Sequence, residues 1–572
     1  MSAQQDRTIA ARRLSRRSAL RALGAAGAGL AIAGTACNAG RRGAGGSLAK
    51  PSSAASGGQP KHGGTLRVPV NADPFDWDAS YAGKSDPNGF GVVMAQESLL
   101  TFKSGPGVPY AELTVQPKLA EKWEVSPDAT SFIFHLRKGT KFANVAPVNG
   151  RELTSADVRF SYEYAARAGA IADKKLPIGF FAFMFEGLDQ IETPDPYTAI
   201  VRFKTPFVPF LNYAASDQNP IVPHEIFDQD GNFKNRVAGS GPFQLDTSAS
   251  QKGTRWVWRR NPSYWQSGKP YIDEIDWIVM RDEATAQSAF QAKQLDWIYA
   301  LDSTTASTIK KNSPGAAANE YANPSAAHVF MQTQHPPFSD IRIRKALALS
   351  IDRDEFVQTL SNGKGAWALA GAFPDTFNQD EIKPLLKPDV NQARQLVRDA
   401  GYPDGVDIEF LINPTYGQVH VHQAELMQAQ AKRTGINLML KPIENADYAL
   451  RKRDRKFTLM HTAKSLQSEI DGYVYSSFYP GLERNYTGVD DPKLTTLLVG
   501  QRRETDTAKR RELLRSAVRY INTEGFWAFS LYYDVTTEFW QPALKGHSPS
   551  FGNQTAATNP PGWSPDIWLD RS

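Results

Sequence analysis

The pattern of apolar and polar positions changes character halfway along the chain. In the first half it alternates. Leu66, Val68 and Val70 fall on every second residue, the period of a strand with one buried face. Phe132, Phe134 and Leu136 repeat that signal after the turn sequence Ser126-Pro127-Asp128, which predicts a hairpin over 123–137. Between Trp256 and Trp277 the pattern is interrupted at Asn261-Pro262 and at Gly268-Lys269-Pro270, so separate strands are predicted there. Thr154-Ser155-Ala156-Asp157 is a capping box. Its hydroxyl and carboxylate satisfy free amides reciprocally, which predicts a helix start.

The second half carries helical stripes. Asp340 precedes a face made of Ile343, Ala346, Leu347 and Ile351. Phe356, Val357 and Leu360 mark a second helix, stopped at Gly363, and Ala393, Leu396, Val397 and Ala400 a third, stopped at Gly401. Val406, Ile408, Phe410 and Ile412 then alternate. A helix over 424–433 ends at Gly435, and Ile436, Leu438 and Leu440 alternate again, which together predict a βαβ unit. Leu513, Leu514, Ala517, Val518 and Ile521 predict a last long helix. All these stripes are read as core packing. No internal repeat of fixed period is visible.

Length and charge narrow the class. Beyond residue 61 the chain is too long for one hydrophobic core, so two or three lobes are expected. The net charge of +5 comes wholly from residues 1–36, which hold six Arg and one Asp. Four further cations and no acids lie between 37 and 61, which leaves the remainder mildly acidic. Such a body lacks the basic field that recruits nucleic acid.

The one cysteine of the chain, Cys37, has no partner for an internal disulfide. It follows Arg12, Arg13, Arg16, Arg17 and Arg21 and an Ala/Gly-rich apolar run from 22 to 36, the anatomy of an export signal. Ser15-Arg16-Arg17-Ser18-Ala19-Leu20 resembles a twin-arginine motif. Gly34-Thr35-Ala36-Cys37 resembles a lipobox, which implies cleavage before Cys37 and acylation of its sulfur. The stretch 37–61 is rich in Gly, Ser and Ala, the composition of a flexible tether reaching roughly 25–30 Å.

Ordered motifs through most of the remainder resemble the extracytoplasmic solute-binding proteins of peptide/nickel-type ABC importers, family 5. They include Gly63-Gly64-Thr65-Leu66, Glu97-Ser98-Leu99-Leu100, Pro117-Lys118-Leu119-Ala120, Gly239-Ser240-Gly241-Pro242-Phe243 and Asn261-Pro262-Ser263-Tyr264-Trp265. Pro337-Phe338-Ser339-Asp340 through Leu347, Ile351-Asp352-Arg353 and Asp399-Ala400-Gly401-Tyr402 continue the series. The resemblance implies a mixed α/β, two-lobed periplasmic-binding-protein-like fold (type II, cluster C) with an inserted third domain. Mapped onto this chain, domain I is 62–98, 221–310 and 540–572, domain II is 99–220 and domain III, the second lobe, is 311–539. It further implies binding without catalysis. A small solute, peptide-like or another polar oligomer, is enclosed between the lobes and delivered to a membrane permease by a monomer held to the outer face of the cell membrane by lipid. A solute-sensing lipoprotein and a metal or metal-chelate binder are the alternatives.

The expected ligand-binding residues are Trp77 and Tyr81, on a loop past the first strand, and Gln332, Tyr416, Lys464, Gln467, Asp471 and Tyr532 at second-lobe positions assigned by the resemblance. In dipeptide-type members an aspartate grips the peptide α-ammonium, and Ser468 stands at that position here. A hydroxyl cannot neutralise a buried cation. Lys464 and Gln467 instead suit an anionic or hydroxyl-rich solute. His420-Val421-His422 is the tightest histidine pair, but residues two apart share a face only on a strand, and this segment reads as helix. No cofactor is expected. H-E-x-x-H and G-x-S-x-G are absent from the sequence. Ser47-Leu48-Ala49-Lys50 lies in the tether, where nothing positions a base.

Replacing Cys37 with Ser is expected to move the protein from the membrane to the soluble fraction with its solute affinity intact. Fractionation and immunoblotting check this, and unchanged membrane association would count against the anchor.

Overall fold

The computed structural model describes residues 58–571 except 75, 80–85, 110–111, 178, 301, 324–325, 463–468 and 550–563, and only the backbone of 86–90. The export leader, Cys37, the tether up to residue 57, Tyr81, Lys464, Gln467 and Ser468 lie outside the described residues.

Three sheets carry the architecture. The first is built where the early alternation occurs. Thr65–Val70 pairs in parallel with Glu274–Val279, followed by antiparallel Arg255–Arg260 and Phe243–Gln251. Leu66, Val68, Trp258 and Trp277 point into its core and are fully buried. The second sheet is antiparallel and contains the expected hairpin, as Ala120–Val125 and Ser131–Leu136, joined by Thr198–Phe203 and Leu188–Asp195. The helix Ser155–Ala166 packs on it. Its capping box is formed, with the Thr154 amide donating to Asp157 Oδ2 at 2.9 Å.

The third sheet has five strands in the order Ile436–Pro442, Val406–Ile412, Leu459–Thr462, His328–Met331 and Ala528–Ser530. The first three are parallel and the last two alternate in direction. The βαβ unit is present, with the helix Gln418–Lys432 between Val406–Ile412 and Ile436–Pro442. That helix begins six residues before the expected start. Its first turn follows Gly417, whose φ of 99° favours glycine, and it lacks the apolar stripe by which a helix is read from sequence. The helix Arg353–Ser361 ends one residue earlier than expected, because Asn362 itself takes the left-handed conformation at φ 49°.

The chain passes between the first-lobe strands and the third sheet twice. Ala317–Ala322 leads to His328–Met331, and Ala528–Ser530 leads back to Val535–Trp540. Val535–Trp540 is the central strand of a small sheet between Trp297–Ala300 and Ala317–Ala322. Glu538 on it is fully buried and accepts hydrogen bonds from Trp297 Nε1 at 3.0 Å and Tyr321 Oη at 2.6 Å. His547 Nε2 lies 2.8 Å from the same carboxylate. Among the described residues no helix is long and apolar enough to cross a membrane.

Candidate functional site

In sheets with parallel strands, ligand crevices lie outside the carboxyl ends of the strands. The third sheet brings Ile412, Pro442 and Thr462 to one such edge. His328–Met331 runs antiparallel to Leu459–Thr462, so His328 and its neighbour Ser530 reach the same edge. The chain beyond Ile412 turns at Asn413, whose Oδ1 accepts from the Thr415 amide at 3.0 Å, and then enters the helix Gln418–Lys432. The turn and the helix deliver Tyr416, His420 and Gln423 to the strand ends. The Tyr416 ring lies 5.5 Å from His420, and His420 lies 5.2 Å from His461. Gln423 Nε2 donates to Tyr532 Oη at 3.2 Å, and Tyr532 donates to Asp534 Oδ2 at 3.1 Å. Tyr448 closes the group from behind by donating to the His461 carbonyl at 2.6 Å.

This wall is rich in neutral hydrogen-bonding groups. Burial lowers the His420 pKa to about 4, and burial together with the neighbouring His420 lowers that of His461 well below the usual histidine value. Burial lifts Asp534 to about 6, against the hydrogen bonds from Ser361, the Val535 amide and Tyr532. Among the described residues His461 Nε2, His420 Nδ1 and Gln423 Oε1 have no hydrogen-bond partner of normal geometry, although the Tyr416 backbone lies close enough to His420 to oppose its pKa fall. Buried polar atoms are normally satisfied, so three open positions on one wall mark a place where a ligand can complete the network. His422 points to solvent, which separates the two histidines of the His420-Val421-His422 segment.

Of the residues expected from sequence, Tyr416 and Tyr532 belong to this group. The other three that are described sit elsewhere. Trp77 is buried edge-on against Trp256 and Trp258, with ring centres 5.8 and 5.6 Å away. The cavity beside it is about 20 Å³, room for one water and not for a solute. Gln332 follows the last residue of His328–Met331, and the antiparallel direction of that strand carries it to the opposite edge of the sheet. There its amide hydrogen bonds to the Thr458 carbonyl at 3.0 Å and its Oε1 accepts from Gln334 at 3.1 Å.

Asp471 is fully buried on the first turn of the helix Ile470–Phe478. Arg502 Nε and Nη2 donate to its two oxygens at 2.8 and 2.9 Å, and Tyr213 Oη and Gln501 Nε2 donate to it as well. Arg502 Nη1 reaches Glu186 at 2.9 Å. Burial works against the Arg502 cation, yet the Asp471 carboxylate together with Tyr213 and Tyr475 outweighs it and raises the arginine pKa. Glu469 is committed in the same way, accepting from Asn212 Nδ2 at 2.6 Å and Arg510 Nη2 at 3.0 Å. Both acids therefore fasten the second lobe to the segment around the helix Phe210–Ala215, a structural task absent from the sequence reading.

Sequence reasoning missed His461, Gln423 and the inward role of His420. His461 lies in a four-residue strand, Leu459–Thr462, that is buried throughout, and only that context distinguishes it from any other histidine.

Two outcomes follow from these environments. Asp471→Ala leaves Arg502 buried without its carboxylate and is expected to cost about 3–5 kcal/mol in urea unfolding, much of it recovered in the double variant with Arg502→Met. His461 and His420 are held neutral, so the unfolded chain binds more protons than the folded one below the ordinary histidine value of 6.5. Their contribution to stability is present above that value and is lost as the pH falls toward 4. The urea midpoint is expected to drop between pH 7 and 4.5, and to drop less in His461→Gln; an identical drop in both proteins would exclude His461 as a source.

Comparison with known proteins agrees with this architecture. The profile of bacterial extracellular solute-binding proteins, family 5 Middle, matches residues 114–483. Heme-binding protein A of Haemophilus influenzae is 27% identical over 376 residues, which are 63% of this chain and 66% of that protein. Di/tripeptide-binding protein 1 of Pseudomonas aeruginosa is 24% identical over 428 residues, 72% and 79% of the two chains. In fold the chain is similar to the ABC transporter-associated periplasmic binding protein DppA of Helicobacter pylori in complex with the peptide STSA, with a TM-score of 0.77, 21% identity and coverage of 89% and 99%. A match that spans most of the chain and a fold shared along nearly its whole length lead to one conclusion: the chain belongs to the bacterial extracellular solute-binding proteins of family 5.

Proposed function

We propose that the protein is the capture component of an ABC importer, and that it encloses a small, polar, peptide-like solute against the carboxyl edge of the five-stranded sheet. The lobes close around the solute, exclude water and present the loaded form to a membrane permease. The observation that carries this reading is the group of unpartnered polar atoms on His461, His420 and Gln423 beside Tyr416 and Tyr532. Tyr81, Lys464 and Gln467 are the further solute contacts of this reading. The protein is a monomer anchored by the lipid on Cys37 at the outer face of the cell membrane.

The electrostatics around the Ser468 loop restrict the solute. The nearest acids in sequence, Glu469 and Asp471, are engaged by Arg510 and Arg502. Ser468 offers an α-ammonium only a hydroxyl, and Glu469 and Asp471 are already paired among the described residues; an unpaired buried cation is costly. The favoured solute is therefore recognised by hydrogen bonds from amides, phenols and imidazoles, and not through a free amino terminus.

A second reading is supported by the His420–His461 pair, two neutral imidazoles with open nitrogens at a ring separation of 5.2 Å. Two imidazoles fall short of the three or four ligands of a tight metal site. Among the described residues no group of three His, Cys, Asp or Glu gathers around one point. The metal variant of this function is thus a metal already wrapped in a chelator that supplies the remaining ligands.

Native mass spectrometry of freshly purified protein identifies the solute carried through purification. Calorimetry with an unmodified tetrapeptide and its N-acetyl form then tests the recognition mode. The acetylated peptide is expected to bind at least as tightly, and His461→Gln or Tyr416→Ala to weaken it by about tenfold, the loss of one or two good hydrogen bonds. A strong preference for the free amino terminus would overturn the solute class, and full affinity in both variants would remove this edge from the site.

A further inference from the structure

A cavity of about 380 Å³ lies between the chain segment 166–188 and residues 476–484. Small-molecule pockets span roughly 300–1,000 Å³, so this space holds a compact organic ligand. None of Tyr416, His420, Gln423, His461 or Tyr532 lines it. Its wall is largely apolar, with Phe180, Phe183, Phe185 and Leu482.

One lining residue breaks that pattern. Arg484 is 6% exposed, and its guanidinium lies 4.3 Å from the Phe180 ring centre and 5.6 Å from that of Phe183. Among the described residues its Nε and Nη1 have no hydrogen-bond partner, no carboxylate forms an ion pair with it, and the neutral Tyr486 side chain is the group that offers it a hydrogen bond. Burial pulls its pKa below the ordinary arginine value, offset in part by Tyr486 and Tyr473. Ring faces stabilise a cation but do not replace the oxygens that its N–H groups leave behind in water. Arg502 shows how the same molecule compensates a buried arginine completely, with Asp471 on one side and Glu186 on the other. Arg484 has the burial without the anion.

The mouth of the cavity has the opposite sign. Glu483 is exposed there, and Glu186, also exposed, is held by Arg502. An entering anion is repelled at the rim and attracted at Arg484, which fixes the direction in which an amphipathic molecule is held.

We propose that this cavity is a second ligand site, separate from the group of Tyr416, His420, Gln423, His461 and Tyr532 at the sheet edge, for a small carboxylate with an apolar body of aromatic size. The carboxylate pairs with Arg484 in the two-pronged geometry that guanidinium and carboxylate share. The body lies against Phe180, Phe183 and Leu482. Because one wall comes from 166–188 and the other from 476–484, the occupant touches both and strengthens the contact between them.

Calorimetric titration of the full-length protein with 3-phenylpropanoate and its neutral amide, 3-phenylpropanamide, tests the proposal. The acid is expected to bind about tenfold or more tighter than the amide, as one charge-assisted pair implies. Arg484→Gln is expected to reduce the acid to the affinity of the amide, whereas His461→Gln leaves it unchanged. Arg484→Met, which removes an uncompensated buried charge, is expected to melt at or above the wild-type temperature. Equal affinities for acid and amide, no binding of the acid at millimolar concentration, or loss of binding in His461→Gln would overturn the second site. A clear fall in the melting temperature of Arg484→Met would do so too, by showing the guanidinium to be a structural cation.

Discussion

Two short crossings of the chain govern how everything else in this protein is placed. Ala317–Ala322 and Val535–Trp540 lie side by side in one small sheet, and the second-lobe strands His328–Met331 and Ala528–Ser530 continue from them. The buried Glu538 carboxylate gathers an indole, a phenol and an imidazole at this junction. Asn323 adds a backbone bond to the Asp534 carbonyl at 2.7 Å and a side-chain bond to Thr536 at 3.0 Å. His328, Ser530, Tyr532 and Asp534 all lie within a few residues of the crossings. The groups proposed to face the solute and the groups that hold the crossing strands together are thus neighbours in sequence. Under the proposed function, a solute that draws on Tyr532 would pull on the adjoining crossing strand, the route by which binding energy would shift the lobe population.

Charge is distributed by a consistent rule. Acids and bases near the second lobe are paired with each other, as in Asp471 with Arg502 and Glu469 with Arg510. The carboxyl edge of the sheet relies instead on neutral side chains whose burial holds them neutral. Neutral donors and acceptors suit release, because a desolvated ion pair with the solute would have to be broken before delivery to a permease. Arg484 departs from the rule, and the cavity beside it is large enough to supply what is missing.

The parts of the fold that were legible in the sequence are those that depend on near neighbours. Alternation at Leu66–Val70, the cap at Thr154–Asp157 and the stripes after Asp340 and Asp389 each report a local periodicity that burial imposes. The site was less legible, because it depends on which strand end meets which. Gln332 stands at the opposite edge of the sheet from Tyr416 and Tyr532, and the direction of a four-residue strand is not written in its composition. Asp471 meets Arg502 from 31 residues away and Tyr213 from 258, so its pairing has no local signature. His461 is invisible for the converse reason. A single histidine in a buried strand looks like core until the helix that brings His420 and Gln423 is laid beside it.

The clamp around Asp471 has an evolutionary corollary. Asn212 and Tyr213 reach Glu469 and Asp471 across 257 and 258 residues of chain, while Arg510 and Arg502 hold the same two acids. A change at any one of these charged positions leaves a largely buried partner short of its counter-charge, so the four charged residues are expected to drift together across lineages or not at all.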